Sequence, residues 1–285
     1  MEKKNPAVAP EHTAVRVALW RALHVQVDPL PHVFVDDLGA QIVGEENWRS
    51  RSDMEINFSK SMRASIVVRA RFVEELVAEA IDRRVAQYVI LGAGLDTFAQ
   101  RHSELVSKVR IFEVDQPGPQ AWKQQRLQEL GWEVPKNLHF VPVDFEAGEF
   151  WWQKLQDAGF DPAQPAIVVS TGVSMYLSRE TNFATFQQMS KLAPGSTYAT
   201  TYMLALDLLE GQERSVLEFV MNKASQSGTP FLSLFRPQEI LDLAMGAGLK
   251  KVQSISAQDL YKKYLAQRTD ALNAGTAECF LVAMT

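Results

Sequence analysis

Tyr88-Val-Ile-Leu-Gly-Ala-Gly-Leu-Asp-Thr97 is the stretch that decides the fold. Its apolar opening, Tyr88 to Leu91, stops at Gly92-Ala93-Gly94. A strand that ends in Gly-x-Gly turns sharply and admits a ligand where a Cβ would block it. In open α/β sheets, ligands bind at the carboxyl ends of the strands near the switch point. Gly-x-Gly also serves many ordinary tight turns, so the chain on either side has to decide. Downstream, Val109-Arg-Ile-Phe-Glu113, Leu138-His-Phe-Val-Pro-Val143, Ala166-Ile-Val-Val-Ser170 and Ser196-Thr-Tyr-Ala-Thr-Thr-Tyr202 repeat the short apolar run. Helical patterns over 116–130, 147–158 and 178–192 separate them, with Gly131 and Pro194-Gly195 as stops. Such alternation predicts βαβ units and a parallel sheet covered on both faces.

Further out the pattern changes. Residues 12–25 carry Val15, Leu19, Ala22 and Leu23 at helical spacing, and Asp28-Pro-Leu-Pro-His32 interrupts them. Residues 53–83 read as mostly helical, with a stripe of Phe72, Leu76, Val77, Ala80 and Ile81. Beyond Tyr202 the alternation lapses. Residues 204–224 read as one amphipathic helix followed by a Gly/Ser-rich loop over 225–229, and 204–235 is the candidate cap over the site. Pro237 opens a helix that ends near Gly246 or Gly248, and strands over 249–256 and 278–284 flank a helix near 258–271. The expected fold is therefore α/β: a Rossmann-like, doubly wound, mostly parallel seven-stranded sheet. A helical extension over 1–83 packs on a core domain over 84–285 that carries the cap.

The bulk composition narrows the function classes. The chain has 285 residues, 46% hydrophobic and 22% charged, which suits an ordinary globular core. A net charge of −5 gives no electrostatic reason to bind nucleic acid, whose affinity rests on phosphate neutralisation. No run of about 18 apolar residues predicts a membrane span, and Met1 to Pro10 lacks the apolar stretch of a signal peptide. The single cysteine, Cys279, sits in an apolar run and reads as a small buried hydrophobe. A reducing, cytoplasmic setting is the expectation. His24, His32, His102 and His139 are scattered without metal-ligand spacing, so no metal is expected. Trp151-Trp152, Met203 and Met221 read as packing residues.

Two features near the glycines point to chemistry. The second strand ends Phe112-Glu113-Val114-Asp115, which puts acids about 20 positions past the glycines, where a ribose diol is commonly held. A full dinucleotide fingerprint would place glycine or alanine at Thr97; this chain has Leu95-Asp96-Thr97. An aspartate there repels a pyrophosphate but not a cofactor that carries an ammonium and a sulfonium. S-adenosylmethionine is thus favoured over NAD on charge.

With these residues in place, the chain resembles the leucine carboxyl methyltransferase family. The resemblance rests on Arg69, the segment Gln87 to Thr97, Phe112-Glu-Val-Asp-Gln-Pro117, Lys123, and the blocks Thr13-Ala14…Val17-Ala18…Arg21-Ala22 and Gly172-Val-Ser-Met-Tyr-Leu-Ser178. The resemblance implies small-molecule O-methylation, the activity attributed to its bacterial members, some of them linked to polyketide pathways. The resemblance implies that Arg69 pairs with the methionine carboxylate, that Gly92, Ala93 and Gly94 border the cofactor, and that Asp115, with Glu113 beside it, holds the ribose. It implies that Asp144 and Phe145 flank adenine. One position departs: the family block before Gly-Val begins with glutamate, and here Thr171 stands there. A threonine cannot supply that charge toward the methionine ammonium, and Asp96 is the residue placed to compensate. Tyr176 and Tyr202, near strand ends, are the candidates to orient an acceptor.

The expected activity is S-adenosylmethionine-dependent methylation of a carboxylate or hydroxyl on a small molecule, with S-adenosylhomocysteine as product. A partner's C-terminal carboxylate is the alternative acceptor. An NAD(P)-dependent oxidoreductase and a cofactor-binding module without catalysis are the readings from other classes. The sequence does not address oligomeric state.

Overall fold

Two residue periodicities build the molecule, and the computed structural model, which describes residues 8–10, 12–144 and 151–285, shows how they interlock. The helical extension comes first: α1 (His12–Val27), α2 (Leu38–Val43) and α3 (Lys60–Asp82), with tight turns at Trp48–Ser50 and Ser52–Met54 between the last two. The expected helix over 53–83 thus begins later, at Lys60. Strands and helices then alternate: β1 (Gln87–Leu91), α4 (Phe98–Arg101), α5 (Ser103–Val106), β2 (Arg110–Asp115), α6 (Pro117–Glu129), β3 (Leu138–Pro142), α7 (Trp151–Asp157), β4 (Ile167–Ser170), α8 (Arg179–Met189) and β5 (Thr197–Met203). The chain closes with α9 (Gly211–Gln226), α10 (Pro237–Gly246), β6 (Lys250–Ile255), α11 (Ala257–Tyr264) and β7 (Glu278–Met284).

Among the described residues the sheet has seven strands in the order β3-β2-β1-β4-β5-β7-β6. β7 alone runs antiparallel to its neighbours, inserted between β5 and β6. The order reverses between β1 and β4, so the crevice beyond Leu91 and Ser170 is the switch point. β1 is buried along its whole length because helices cover both of its faces. On one face, α3 lays Val67, Val68, Phe72, Val73 and Val77 against Tyr88, Ile90, Val169 and Phe280. On the other, α7, α8 and α10 contribute Leu155, Phe186, Met189 and Ile240 against Val89, Val168, Tyr202 and Leu281. A third cluster fastens the extension: Leu19 and Leu23 of α1 pack with Ile42, Trp48, Leu95 and Leu127. β6 is an edge strand, and Lys250 and Lys251 expose their charge along it.

Three local expectations change. Residues 204–224 do not form one helix. A short turn at Leu206–Leu208 is followed by extended backbone at Leu209 and Glu210 before α9 begins at Gly211, whose φ of 52° suits glycine. α11 stops at Tyr264 instead of running to 271, as the chain enters a turn in which Arg268 pairs with Asp270. The β1–β2 crossover holds α4 and α5, for which the patterning gives no helix. The start of the expected helix over 147–158 lies outside the described residues. Cys279 is buried, as its apolar neighbours require.

Candidate active site

The site is built on the loop after β1. Gly92 and Gly94 both adopt positive φ, 71° and 52°. A Cβ on Gly92 would stand 2.6 Å from Cγ2 of Val173, which leans across from the loop after β4. A Cβ on Gly94 would meet Ala14 of α1 at 3.4 Å. The backbone is thus held between the β4 loop and the N-terminal extension, with room only for glycine at Gly92.

Asp115 holds the loop from the β2 side. One carboxylate oxygen accepts from the amide of Gly94 and the other from the amide of Gln116 at 2.7 Å. Burial raises its pKa, and the two amides and Lys123 only partly oppose that. Each oxygen keeps lone pairs for a further donor. Glu113, two residues earlier on the same face of β2, is buried with Lys123 of α6 at 2.6 Å. Burial pushes the Glu113 carboxyl up to about 7; Lys123 opposes this, and the charges of Asp96 and Asp115 add to it. Its Oε1 is buried without a hydrogen-bond partner. Asp96, Glu113 and Asp115 thus crowd three carboxylates around one loop. With Glu113 offset by Lys123, Asp96 and Asp115 still leave the loop acidic, which fits a cationic cofactor and opposes a pyrophosphate.

Behind the loop, the extension supplies residues for which the sequence suggested no role. Arg21 donates to Asp36 at 2.6 Å and to the Leu95 carbonyl at 2.7 Å. Asp36 also accepts from the hydroxyl of Thr97 at 2.8 Å. Burial works to raise Asp36, but Arg21, Arg101 and Thr97 outweigh it and hold the carboxyl below its ordinary range. Thr97 therefore faces the extension. Asp96 accepts from the amide of Phe98 at 2.8 Å and so anchors the start of α4.

The β4 side is assembled from distant segments. Arg69 of α3 reaches the loop after β4, where a Cβ on Gly172 would lie 3.3 Å from its Nη1. The same Nη1 donates to Oε1 of Glu278, the first residue of β7, at 2.8 Å. Gly172, with φ 71°, donates its amide to the hydroxyl of Thr201 at 2.8 Å. Thr171 is half-buried at the head of this loop. Asp144 follows the end of β3, which is tied to β2 by the bond from the Val143 amide to the Asp115 carbonyl. Phe145 lies outside the described residues.

The two tyrosines part company. Tyr176 is half-buried in the turn after β4, with its ring edge-on to Phe231 at 5.2 Å. Tyr202 is fully buried under α10, and its hydroxyl is bonded to that of Ser254 at 2.7 Å. Burial raises its phenol well above the ordinary value. Strand alternation sends Tyr202 into the α10 layer and its neighbour Thr201 to the opposite face, so the structure does not bring Tyr202 to the strand-end loops. Of the expected residues, Arg69, Gly92, Ala93, Gly94, Asp96, Glu113, Asp115, Asp144, Thr171 and Tyr176 lie at or beside the carboxyl ends of β1 to β4. Among the described residues no cluster of three or more His, Cys, Asp or Glu could hold a metal ion.

The acids around the loop after β1 and Arg69 beside the loop after β4 thus gather at the switch point of the sheet, where open α/β proteins bind their ligands. The chain belongs to the leucine carboxyl methyltransferase family, whose model matches residues 14–190. A Bacillus subtilis (strain 168) protein, named as the S-adenosyl-L-methionine-dependent methyltransferase YktD, is 35% identical over 73% of this chain and 68% of its own length. A Mycolicibacterium smegmatis protein named as a methyltransferase with the same cofactor is 35% identical over 73% of this chain and 72% of its own. The fold matches a Streptomyces avermitilis duf574 family protein with TM-score 0.56 and 15% identity, covering 97% of this chain and 98% of that one. It also matches a Nostoc punctiforme structure described as an O-methyltransferase, with TM-score 0.54 and 15% identity, over 95% of this chain and 72% of that one. The protein is an S-adenosylmethionine-dependent methyltransferase, and the dinucleotide alternative is set aside. Among the described residues no helix is long and apolar enough to cross a membrane.

Proposed function

We propose that the chain methylates a carboxylate or hydroxyl oxygen of a small molecule. S-adenosylmethionine, when bound, supplies a methyl group on a positively charged sulfur that is already a good leaving group. What remains for this chain is orientation, which contributes ~7–11 kcal/mol in favourable cases. In this reading Asp115 accepts from the ribose hydroxyls with Glu113 beside it, and Gly92, Ala93 and Gly94 border the cofactor. Arg69 presents a guanidinium to the methionine carboxylate. Asp144 flanks the adenine, and Tyr176 orients the acceptor.

The observation that carries the choice of a small acceptor is how the 204–235 segment is tied down. Phe235 donates its amide to the Met203 carbonyl at 2.9 Å, and Ala205 donates to the Phe235 carbonyl at 3.0 Å, which closes the segment at its base. In its second half, the amide of Leu232 reaches the Met175 carbonyl at 2.7 Å, directly beside Tyr176. Near the start of α9, Glu213 accepts from the amide of Thr276 at 3.0 Å. In this reading the segment, fastened at its base, its loop and its helix, is the cap that bounds the acceptor site, which favours a compact acceptor over an extended peptide.

A carboxylate acceptor is already a nucleophile at neutral pH and needs no base. A labelled-methyl screen against a metabolite extract and, in parallel, a protein lysate tests the reading. We expect label in the small-molecule fraction, with base-labile product indicating an ester. Label confined to protein would transfer the assignment to a C-terminal carboxylate. Tight binding of S-adenosylhomocysteine with no label in either pool would favour a binding module.

A further inference from the structure

The loop after β4 carries Thr171 where the family places a glutamate, yet a carboxylate does stand on this side of the crevice. Glu278 starts β7, two strands from β4, and lies outside the residues that the family model matches. It shares a sheet face with Phe280 and Val282, the face that α3 covers, and this is why it meets Arg69. The two residues are 209 apart in sequence and 2.8 Å apart in space. Both side chains are mostly buried, at 14% and 18% exposure, so water screens the pair only weakly.

The pair is incompletely satisfied. Among the described residues, the bond from Nη1 to Oε1 is the one hydrogen bond that either side chain makes. Nε and Nη2 of Arg69 remain as donors, and Oε2 of Glu278 remains as an acceptor. A guanidinium with two spare donors beside a carboxylate with a spare oxygen is the counterpart of an α-amino-acid zwitterion. The arginine edge suits a carboxylate and the glutamate edge suits an ammonium. Asp96, the other acid placed to compensate for Thr171, accepts from the Phe98 amide through Oδ1 on the β1 side of the site, whereas Glu278 is the carboxylate that meets Arg69.

We propose that Glu278 receives the α-ammonium of the cofactor, so that Arg69 and Glu278 together form a preformed clamp for its amino-acid end. This rests on the cofactor placement given above, with Asp115 on the ribose and Arg69 on the carboxylate. Glu278 is a positioning residue: it fixes the amino-acid end and hence the direction in which the methyl group points.

Calorimetric titration with two ligands separates the clamp from the rest of the site. S-adenosylhomocysteine carries the zwitterion, whereas methylthioadenosine keeps the nucleoside and thioether but lacks it. Glu278→Gln, which preserves shape and the contact to Arg69, is expected to weaken S-adenosylhomocysteine by about tenfold or more, as expected for a lost charge-assisted hydrogen bond. Methylthioadenosine affinity is expected to stay unchanged. Adding Thr171→Glu to that variant is expected to restore S-adenosylhomocysteine binding, because it returns a carboxylate to the family's position. Should Glu278→Gln not fold, Glu278→Asp is read through the same ratio of the two affinities. The proposal is overturned if the variant binds S-adenosylhomocysteine as the parent does, or if both ligands weaken equally. Failure of the parent chain to bind methylthioadenosine would instead strike the ribose placement of Asp115, independently of Glu278.

Discussion

The two sides of the crevice are built in opposite ways. On the ribose side, Gly92, Gly94, Glu113, Asp115 and Lys123 all come from one continuous stretch from β1 to α6, and the hydrogen bonds among them close within 21 residues of chain. On the amino-acid side, Arg69 comes from α3, Gly172 from the loop after β4, Thr201 from β5 and Glu278 from β7. The first side is a local turn in which Glu113 is buried against Lys123, while the half-buried Asp115, bonded to two backbone amides, keeps lone pairs for a further donor. The second is a meeting of four elements that leaves donors and an acceptor open. Local construction anchors its ligand face through backbone amides, and long-range construction assembles its face from side chains of separate elements.

The largest effect expected from breaking this contrast is on stability. Lys123→Met leaves Glu113 buried without its cation and should cost about 3–5 kcal/mol in urea unfolding. The double variant Glu113→Gln with Lys123→Met should recover most of that loss, because no uncompensated charge remains. The same pair sets a pH dependence. The folded-state pKa of Glu113, about 7, lies above its ordinary 4.5, so the folded protein holds this proton more tightly than the unfolded chain does. Its stabilising contribution is full below about 4.5, declines as pH rises toward about 7, and is constant above that. Unfolding free energies measured across this window should fall more steeply for the parent than for Glu113→Gln; parallel curves would contradict the placement.

Next in size is ligand affinity. Asp115→Ala should lower S-adenosylhomocysteine affinity by about a hundredfold, since a charged acceptor is lost from both the ribose and the Gly94 amide. Methylthioadenosine should weaken in parallel, because both ligands share the ribose. The amino-acid side should behave otherwise, with variants that affect only the ligand that carries the zwitterion. A fall confined to S-adenosylhomocysteine after Asp115→Ala would erase the distinction between the two sides.

Smaller still is the backbone effect. Gly92→Ala should destabilise by ~1–2 kcal/mol through its left-handed backbone alone, with a further cost from the contact with Val173. Pairing it with Val173→Ala should relieve the contact but not the backbone cost, as thermal melts would resolve. Smallest is Tyr202→Phe, which removes one buried hydroxyl bond and should cost about 0.5–1.5 kcal/mol. Methyl transfer should proceed unchanged, and a large loss of turnover without loss of fold would return Tyr202 to the reaction.

The legible parts follow the same division. The strand from Tyr88 to Leu91, its Gly-x-Gly stop and the acids at the end of β2 can be read from spacing, because the contacts they make are local. The boundary at Gly211 and the short α11 were not legible, since an amphipathic pattern does not record where extended backbone interrupts it. Tyr202 misleads for a similar reason: its position near a strand end is evident, but the face on which it lies depends on what covers the sheet. Arg21 and Asp36 stand among the family blocks or near them, yet only the packing of α1 against Leu95 and Leu127 shows that they brace the glycine loop.

By itself the sequence determined the alternation of strands and helices, the bend after Leu91, and the acidic character that suits a cationic cofactor. These depend on hydrophobic periodicity and on residue chemistry within a few turns of chain. Only the tertiary structure decided that Arg69 meets Glu278, that Thr201 pins Gly172, and that Tyr202 turns into the core. Those outcomes depend on β7 slotting antiparallel between β5 and β6, a pairing between segments too far apart in sequence for any local pattern to record.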